Sequence, residues 1–175
     1  MQPITFELPA AAEPSGILSD AWANIARWYP GEIGGVTEEA APDLPDGLRR
    51  VTLGCPARLP AYELLLTALT LIDIWCRQRW AFPSVYAGSI HYREDSPDRE
   101  VWASTPALHA RGWGDCTDLA CDRAAELIVG GTSSTPFLRL EAARSDRDYF
   151  HVMVARDDAW IEDPSKALGM LQLGR

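Results

Sequence analysis

The sequence has no run of about 18 or more uncharged apolar residues, the length that a bilayer-spanning helix needs. Its opening, Met1 to Leu8, lacks the basic start and apolar stretch of a secretory leader, so the expectation is a protein made and kept in a cytoplasm. Cysteines are few: four, at positions 55, 76, 116 and 121, without the dense spacing of a disulfide-framed domain, and they are expected to be reduced thiols. No internal repeat or low-complexity tract occurs. Positive charge is scarce as well. Sixteen Lys and Arg face 25 Asp and Glu, giving a formal net charge of -9 and a pI near 4.7. That balance argues against a general affinity for nucleic acid or for an anionic membrane, and makes cationic partners the better match.

What is present suffices for one globular domain with a substantial core: 175 residues, 47% hydrophobic, with seven Trp. Residues 3–8 alternate Ile4, Phe6 and Leu8 against Thr5 and Glu7, which predicts a strand. Ser19 or Asp20 is expected to cap a helix running to Tyr29, followed by a proline- and glycine-rich loop over residues 30–45. On this reading residues 1–46 form an N-terminal extension and linker, and residues 47–175 form the main domain. Residues 48–53 predict a strand. After Pro60 comes a helix whose apolar face, with Leu64, Leu65, Ala68, Leu71, Ile72 and Trp75, is too broad for a solvent-side helix. Residues 86–92 read as extended, and residues 93–100 as a solvated charged loop rather than a calcium loop, since the regular ligand spacing and mid-loop glycine are missing. Thr105 and Pro106 open a short helix.

The stretch from Arg111 to Leu127 carries the chemistry. Two glycines make a turn, and a helix follows, with Leu119, Ala120, Ala124 and Leu127 at helical spacing, so Cys116 stands at a helix N-terminus. Orphan N–H groups and the positive end of the helix dipole favour a thiolate there. Asp115 and Asp118 flank the thiol and oppose that effect, unless Asp118 caps the helix instead. A buried, inert cysteine is the structural alternative. Downstream, residues 136–142, 149–155 and 159–162 predict three strands, the last two joined by a two-residue turn at Asp157-Asp158. Such a turn makes the numbers of cross-strand partners sum to about 315, which places His151 beside Asp163. A nucleophilic thiol, a proton-shuttling imidazole and an orienting carboxylate are what cysteine-based acyl transfer requires.

Gly114-Asp115-Cys116 at a helix start, His151 on the next strand and Asp163 after the following one resemble the transglutaminase-like superfamily, related to papain-like cysteine proteases. More narrowly, Tyr92-Arg93-Glu94-Asp95, Trp102, Gly112 to Ala120, His151-Val152 and Ile161 to Met170 resemble small transglutaminase-like proteins encoded among bacteriophage structural genes, over residues 60–170. The resemblance implies an α+β fold with a papain/transglutaminase-like core, in which a helix bearing the cysteine packs on an antiparallel sheet. It implies a Cys116-His151-Asp163 triad, with Trp102 helping to hold the oxyanion and no cofactor or metal. It further implies a protein or peptide substrate, such as a phage structural protein or a cell-wall peptide, and a place in a bacterial host's cytoplasm or in a virion. The functional alternative is a non-catalytic phage assembly component on the same fold. Metal binding through Cys116, Cys121, His109 and His151 is disfavoured, because residues five apart on a helix point about 140° from one another.

Overall fold

A computed structural model describes residues 2–39, 41–56, 58–96, 100–144 and 147–170. The predicted first strand is β1 (Gln2–Pro9). It lies inside a four-stranded sheet, antiparallel to β3 (Leu48–Cys55) and parallel to β5 (Glu100–Ala103), with β2 (Val36–Glu39) on the outer side of β3. An interior strand is covered on both faces, and this one buries Ile4, Phe6 and Leu8 together with Thr5 and Glu7. The two polar side chains are satisfied. Thr5 shares a hydroxyl hydrogen bond with Thr52 at 2.9 Å, and Glu7 accepts from Arg50 at 2.9 Å. The stretch read as an extension thus supplies a central strand, and also α1 (Ala12–Trp28), which starts seven or eight residues before the cap expected at Ser19 or Asp20. The 30–45 loop likewise contains the strand β2.

Helix α2 (Leu59–Arg79) is the buried helix that the broad apolar face predicts. At 21 residues and a mean hydropathy of 1.4 it is long and apolar enough to cross a membrane by those measures. Its apolar side chains are used here for packing: Ala61, Leu65, Leu66, Leu69 and Ile72 join a core shared with Leu18 and Ile25 of α1 and with Ala120 and Ala124 of α4 (Cys116–Val129). Between these helices come β4 (His91–Tyr92), α3 (Thr105–Arg111) and β6 (Trp113–Gly114), with β4 and β6 paired in parallel. Of the expected extended segment 86–92, only β4 is strand.

A second sheet, antiparallel throughout, has the order β7 (Ser134–Arg144), β8 (Arg147–Arg156) and β9 (Ile161–Glu162). α4 packs on β7 and β8. The chain then enters the short helix α5 (Pro164–Ala167). Neither helix, at 41%, nor strand, at 27%, dominates, so the protein is of the mixed α+β class. The β8–β9 turn is one residue longer than expected: Arg156 N–H donates to Trp160 C=O at 2.9 Å across Asp157-Asp158-Ala159, with Ala159 at φ +62°. The extra residue moves the register sum from 315 to 316, as in the pair Val154 and Glu162.

Candidate active site

The turn into α4 needs its two glycines for different reasons. Gly112 ends α3 at φ +73°, in the left-handed region that a Cβ disfavours. At Gly114 a Cβ would stand 2.7 Å from Leu108 Cδ1 and 3.0 Å from Asp118 Cβ, so only glycine lets the chain pass this close to the helix. Asp115 is then the N-cap. Its Oδ1 accepts from the N–H groups of Thr117 at 2.9 Å and Asp118 at 3.1 Å, while Asp118 Oδ2 accepts from the Asp115 N–H at 3.2 Å, a reciprocal capping box. Asp118, fully buried, also accepts from the Ala103 N–H at 2.6 Å and pairs with Arg111. The two aspartates beside the cysteine therefore fasten the start of α4 to β5 and to the end of α3. The cap leaves the Cys116 N–H without a hydrogen-bond partner among the described residues.

Cys116 is half-buried, whereas Cys55, Cys76 and Cys121 are wholly buried. The backbone of Val152, the residue after His151 on β8, acts on its sulfur in the direction that lowers the thiol. Burial first, and the Asp115 carboxylate second, push its thiol well above the ordinary cysteine range, and these outweigh the Val152 backbone. Cys116 is accordingly a neutral thiol at neutral pH.

His151 is 1% exposed, and its Nε2 lies 3.0 Å from Asp163 Oδ2. Asp163 is the N-cap of α5: Oδ1 accepts from the Lys166 N–H at 3.1 Å, and Lys166 Nζ lies 2.8 Å from Oδ2. Partial burial works to raise its carboxyl, but the bonds from His151 and Lys166 outweigh that and hold it well below the usual carboxylate range. An ionised carboxylate only accepts, so Nε2 carries the proton and the basic nitrogen of the neutral ring is Nδ1. The His151–Asp163 pair expected from the strand register is present. Cys116 meets the backbone of the same strand one residue along.

Trp102 differs from expectation. It is almost fully buried, and its indole N–H donates to Glu100 Oε1 at 2.8 Å, so the group assigned to an oxyanion is engaged by a carboxylate two residues back. Its ring meets Phe6 edge-on at 5.3 Å and lies 6.3 Å from Tyr62, which in turn lies 6.5 Å from the half-exposed Phe150. The charged loop is exposed at Arg93, Glu94 and Ser96, as the solvated reading expects, while Asp95 and Glu100 are partly buried. Asp95 Oδ2 accepts from the Val101 N–H at 2.7 Å, and burial raises the Glu100 carboxyl. Of this loop, residues 97–99 lie outside the described residues.

The other sequence candidates are engaged elsewhere. His109 Nε2 lies 3.5 Å from Asp122 Oδ2, in a buried network where Arg77 grips Asp122 at 2.6 and 2.8 Å and the Thr105 hydroxyl donates to it at 2.6 Å. The Cys121 thiol faces the Leu66 carbonyl at 3.7 Å. No group of His, Cys, Asp and Glu able to hold a metal ion occurs among the described residues. Comparison with protein-family models, with curated proteins and with solved structures finds no match for the chain. The site's own geometry therefore carries the functional reading. Tyr92, which sequence reasoning placed only within a run of similar residues, borders this site. Its pairing with Gly114 emerges only when β4 and β6 come together.

Proposed function

We propose that the protein is a cysteine-dependent acyl-transfer enzyme acting on amide bonds, with Cys116 as nucleophile, His151 as general base and acid, and Asp163 as the group that orients His151. The observation that carries this reading is the His151 Nε2 to Asp163 Oδ2 bond of 3.0 Å, on the strand β8 that packs against α4, the helix whose capped first turn holds the half-buried Cys116. The α4 helix lying on the β7–β8–β9 sheet supports a papain/transglutaminase-like core. Nδ1 of His151 takes the thiol proton as the Cys116 Sγ–C bond forms, and the carbonyl electron pair moves onto oxygen beside the free Cys116 N–H. Collapse of this intermediate breaks the C–N bond, and the imidazolium returns the proton to the leaving amine. Water or a second amine then attacks the thioester, with His151 again as base, and regenerates the thiol. Hydrolysis makes the protein a protease or amidase; aminolysis makes it a cross-linker. Its substrate is a protein or peptide, a phage structural protein or cell-wall peptide in the phage-encoded setting that the sequence resemblance implies.

Incubation with p-nitrophenyl acetate, read by intact mass and peptide mapping, tests the reading. An acetyl group on Cys116, absent from Cys116→Ala and removed by water or by an added primary amine, is the expected result. Acetylation confined to other residues, or none at all, overturns it. The second reading, a non-catalytic assembly component, is favoured by the raised thiol and by the Glu100 carboxylate on the Trp102 indole. It gains if Cys116→Ala leaves particle assembly intact and no acetyl-enzyme forms.

A further inference from the structure

Acyl transfer at Cys116 needs two donors where the oxyanion develops, and on the reading proposed above one of them is the Cys116 N–H. The Trp102 indole N–H is spent on Glu100 at 2.8 Å. Tyr92 sits opposite Gly114, two residues before the nucleophile, in the β4–β6 pair. Its own N–H donates to the Leu168 carbonyl at 2.8 Å, just past α5, the helix that Asp163 caps. β4 is thus tied on one side to the approach to Cys116 and on the other to the segment that holds the orienting carboxylate. The ring packs on the small core of Val85, Ile90, Ala103, Ala107, Leu108 and Leu119, and the side chain remains only partly buried. The hydroxyl makes no hydrogen bond among the described residues. Burial first, and then Cys116, Glu94, Asp115 and Asp163, raise the phenol above its ordinary range, so it stays a protonated donor throughout the neutral region.

We infer that Tyr92 is a catalytic residue, its phenol O–H being the second oxyanion donor beside the Cys116 N–H. As Cys116 Sγ bonds to the acyl carbon and the carbonyl pair moves onto oxygen, that oxygen accepts from both groups. It releases them when the pair returns and the leaving group departs. Trp102, with its N–H bound to Glu100, serves as the wall of the site.

This inference rests on the proposed acyl transfer, and two reagents separate the two. p-Nitrophenyl acetate acylates through a tetrahedral oxyanion; iodoacetamide alkylates by direct displacement and forms none. In Tyr92→Phe, which removes only a hydroxyl without partners among the described residues and is checked by its melting temperature, acetylation of Cys116 is expected to slow about 100-fold, the usual loss for one oxyanion donor. Alkylation of Cys116 is expected to stay within about twofold of wild type, since direct displacement has no oxyanion to hold. Unchanged acetylation in Tyr92→Phe overturns the inference while leaving the acyl-transfer reading standing. Equal falls in acetylation and alkylation also overturn it, and place the hydroxyl on the thiol. No acetylation of wild-type Cys116 overturns both.

Discussion

Asp118 joins three pieces of chain beside Cys116, and replacing it by alanine measures what that junction contributes. The substitution removes the acceptor for two backbone N–H groups, those of Ala103 and Asp115, and the partner of Arg111. Each buried donor left unpaired costs about 1–3 kcal/mol. Breaking a buried ion pair costs about 3–5 kcal/mol when the remaining charge is stranded. Arg111 is not stranded here, because Glu7 Oε2 lies 3.6 Å from its Nη1 and can take up the charge. The two orphaned N–H groups therefore dominate, and Asp118→Ala should lose about 3 kcal/mol, a large share of the 5–15 kcal/mol typical of a domain. At about 2–4 °C per kcal/mol for a chain of this size, the melting temperature should drop by about 6–12 °C. Urea unfolding followed by tryptophan fluorescence supplies the free energy, and differential scanning calorimetry the temperature. Asp118→Asn retains one acceptor oxygen and should lose about half as much. A loss below about 1 kcal/mol in Asp118→Ala would refute the assignment of this carboxylate as the tie between β5, α3 and α4.

Cys116 alkylation by iodoacetamide should rise about tenfold per pH unit through neutrality without levelling below about pH 9, because only the thiolate reacts and the thiol is held above its ordinary range; a plateau near pH 7 in the stopped-flow profile would contradict this. Asp163, whose folded-state carboxyl is depressed, contributes a stability that is complete above its unfolded value of about 4 and lost as pH falls below it. The gap in unfolding free energy between wild type and Asp163→Asn should thus shrink from pH 5 to pH 2, and a gap that widens on acidification would be inconsistent. Phe6→Ala, in the interior strand β1, should cost about 3–5 kcal/mol in urea unfolding, a core-sized loss that a dispensable extension would not show. Ala159→Gly should gain about 0.5–1 kcal/mol, since the left-handed conformation at φ +62° costs an L-residue about 1–2 kcal/mol and glycine's added freedom returns part of that; a loss would mean that Ala159 is not strained.

The helices α2 and α4, the strands β1, β3, β7 and β8, and the His151–Asp163 pair could be read from the chain because their signals are local: periodicity, a cap, a hairpin. The pair survived even a wrong turn length, as one residue of slip still leaves Asp163 within reach of His151. What escaped was non-local. The parallel pairing of β1 with β5 across more than 90 residues has no signature in either strand, so residues 1–46 read as an appendage. Helix α1 starts at Ala12 with an alanine cap that makes no side-chain hydrogen bond, so the sequence signal for a cap falls later, at Ser19 and Asp20. The engagement of the Trp102 indole by Glu100 depends on that one carboxylate, at the start of β5, turning inward, against the preference of carboxylates for water. Tyr92 enters the site only through the β4–β6 pairing of two-residue strands, which are too short to show a period.

Accessibility alone favours modification of Cys116, the one cysteine of four that is not fully buried, so labelling by itself does not establish activation. The direct test is the rate of Cys116 acetylation by p-nitrophenyl acetate in wild type against His151→Ala at neutral pH, with Cys116 exposure monitored by mapping. Loss of the base at a neutral thiol should slow acetylation by about 100-fold or more. Equal rates in the two proteins would contradict a thiol activated by His151, and with it the enzyme.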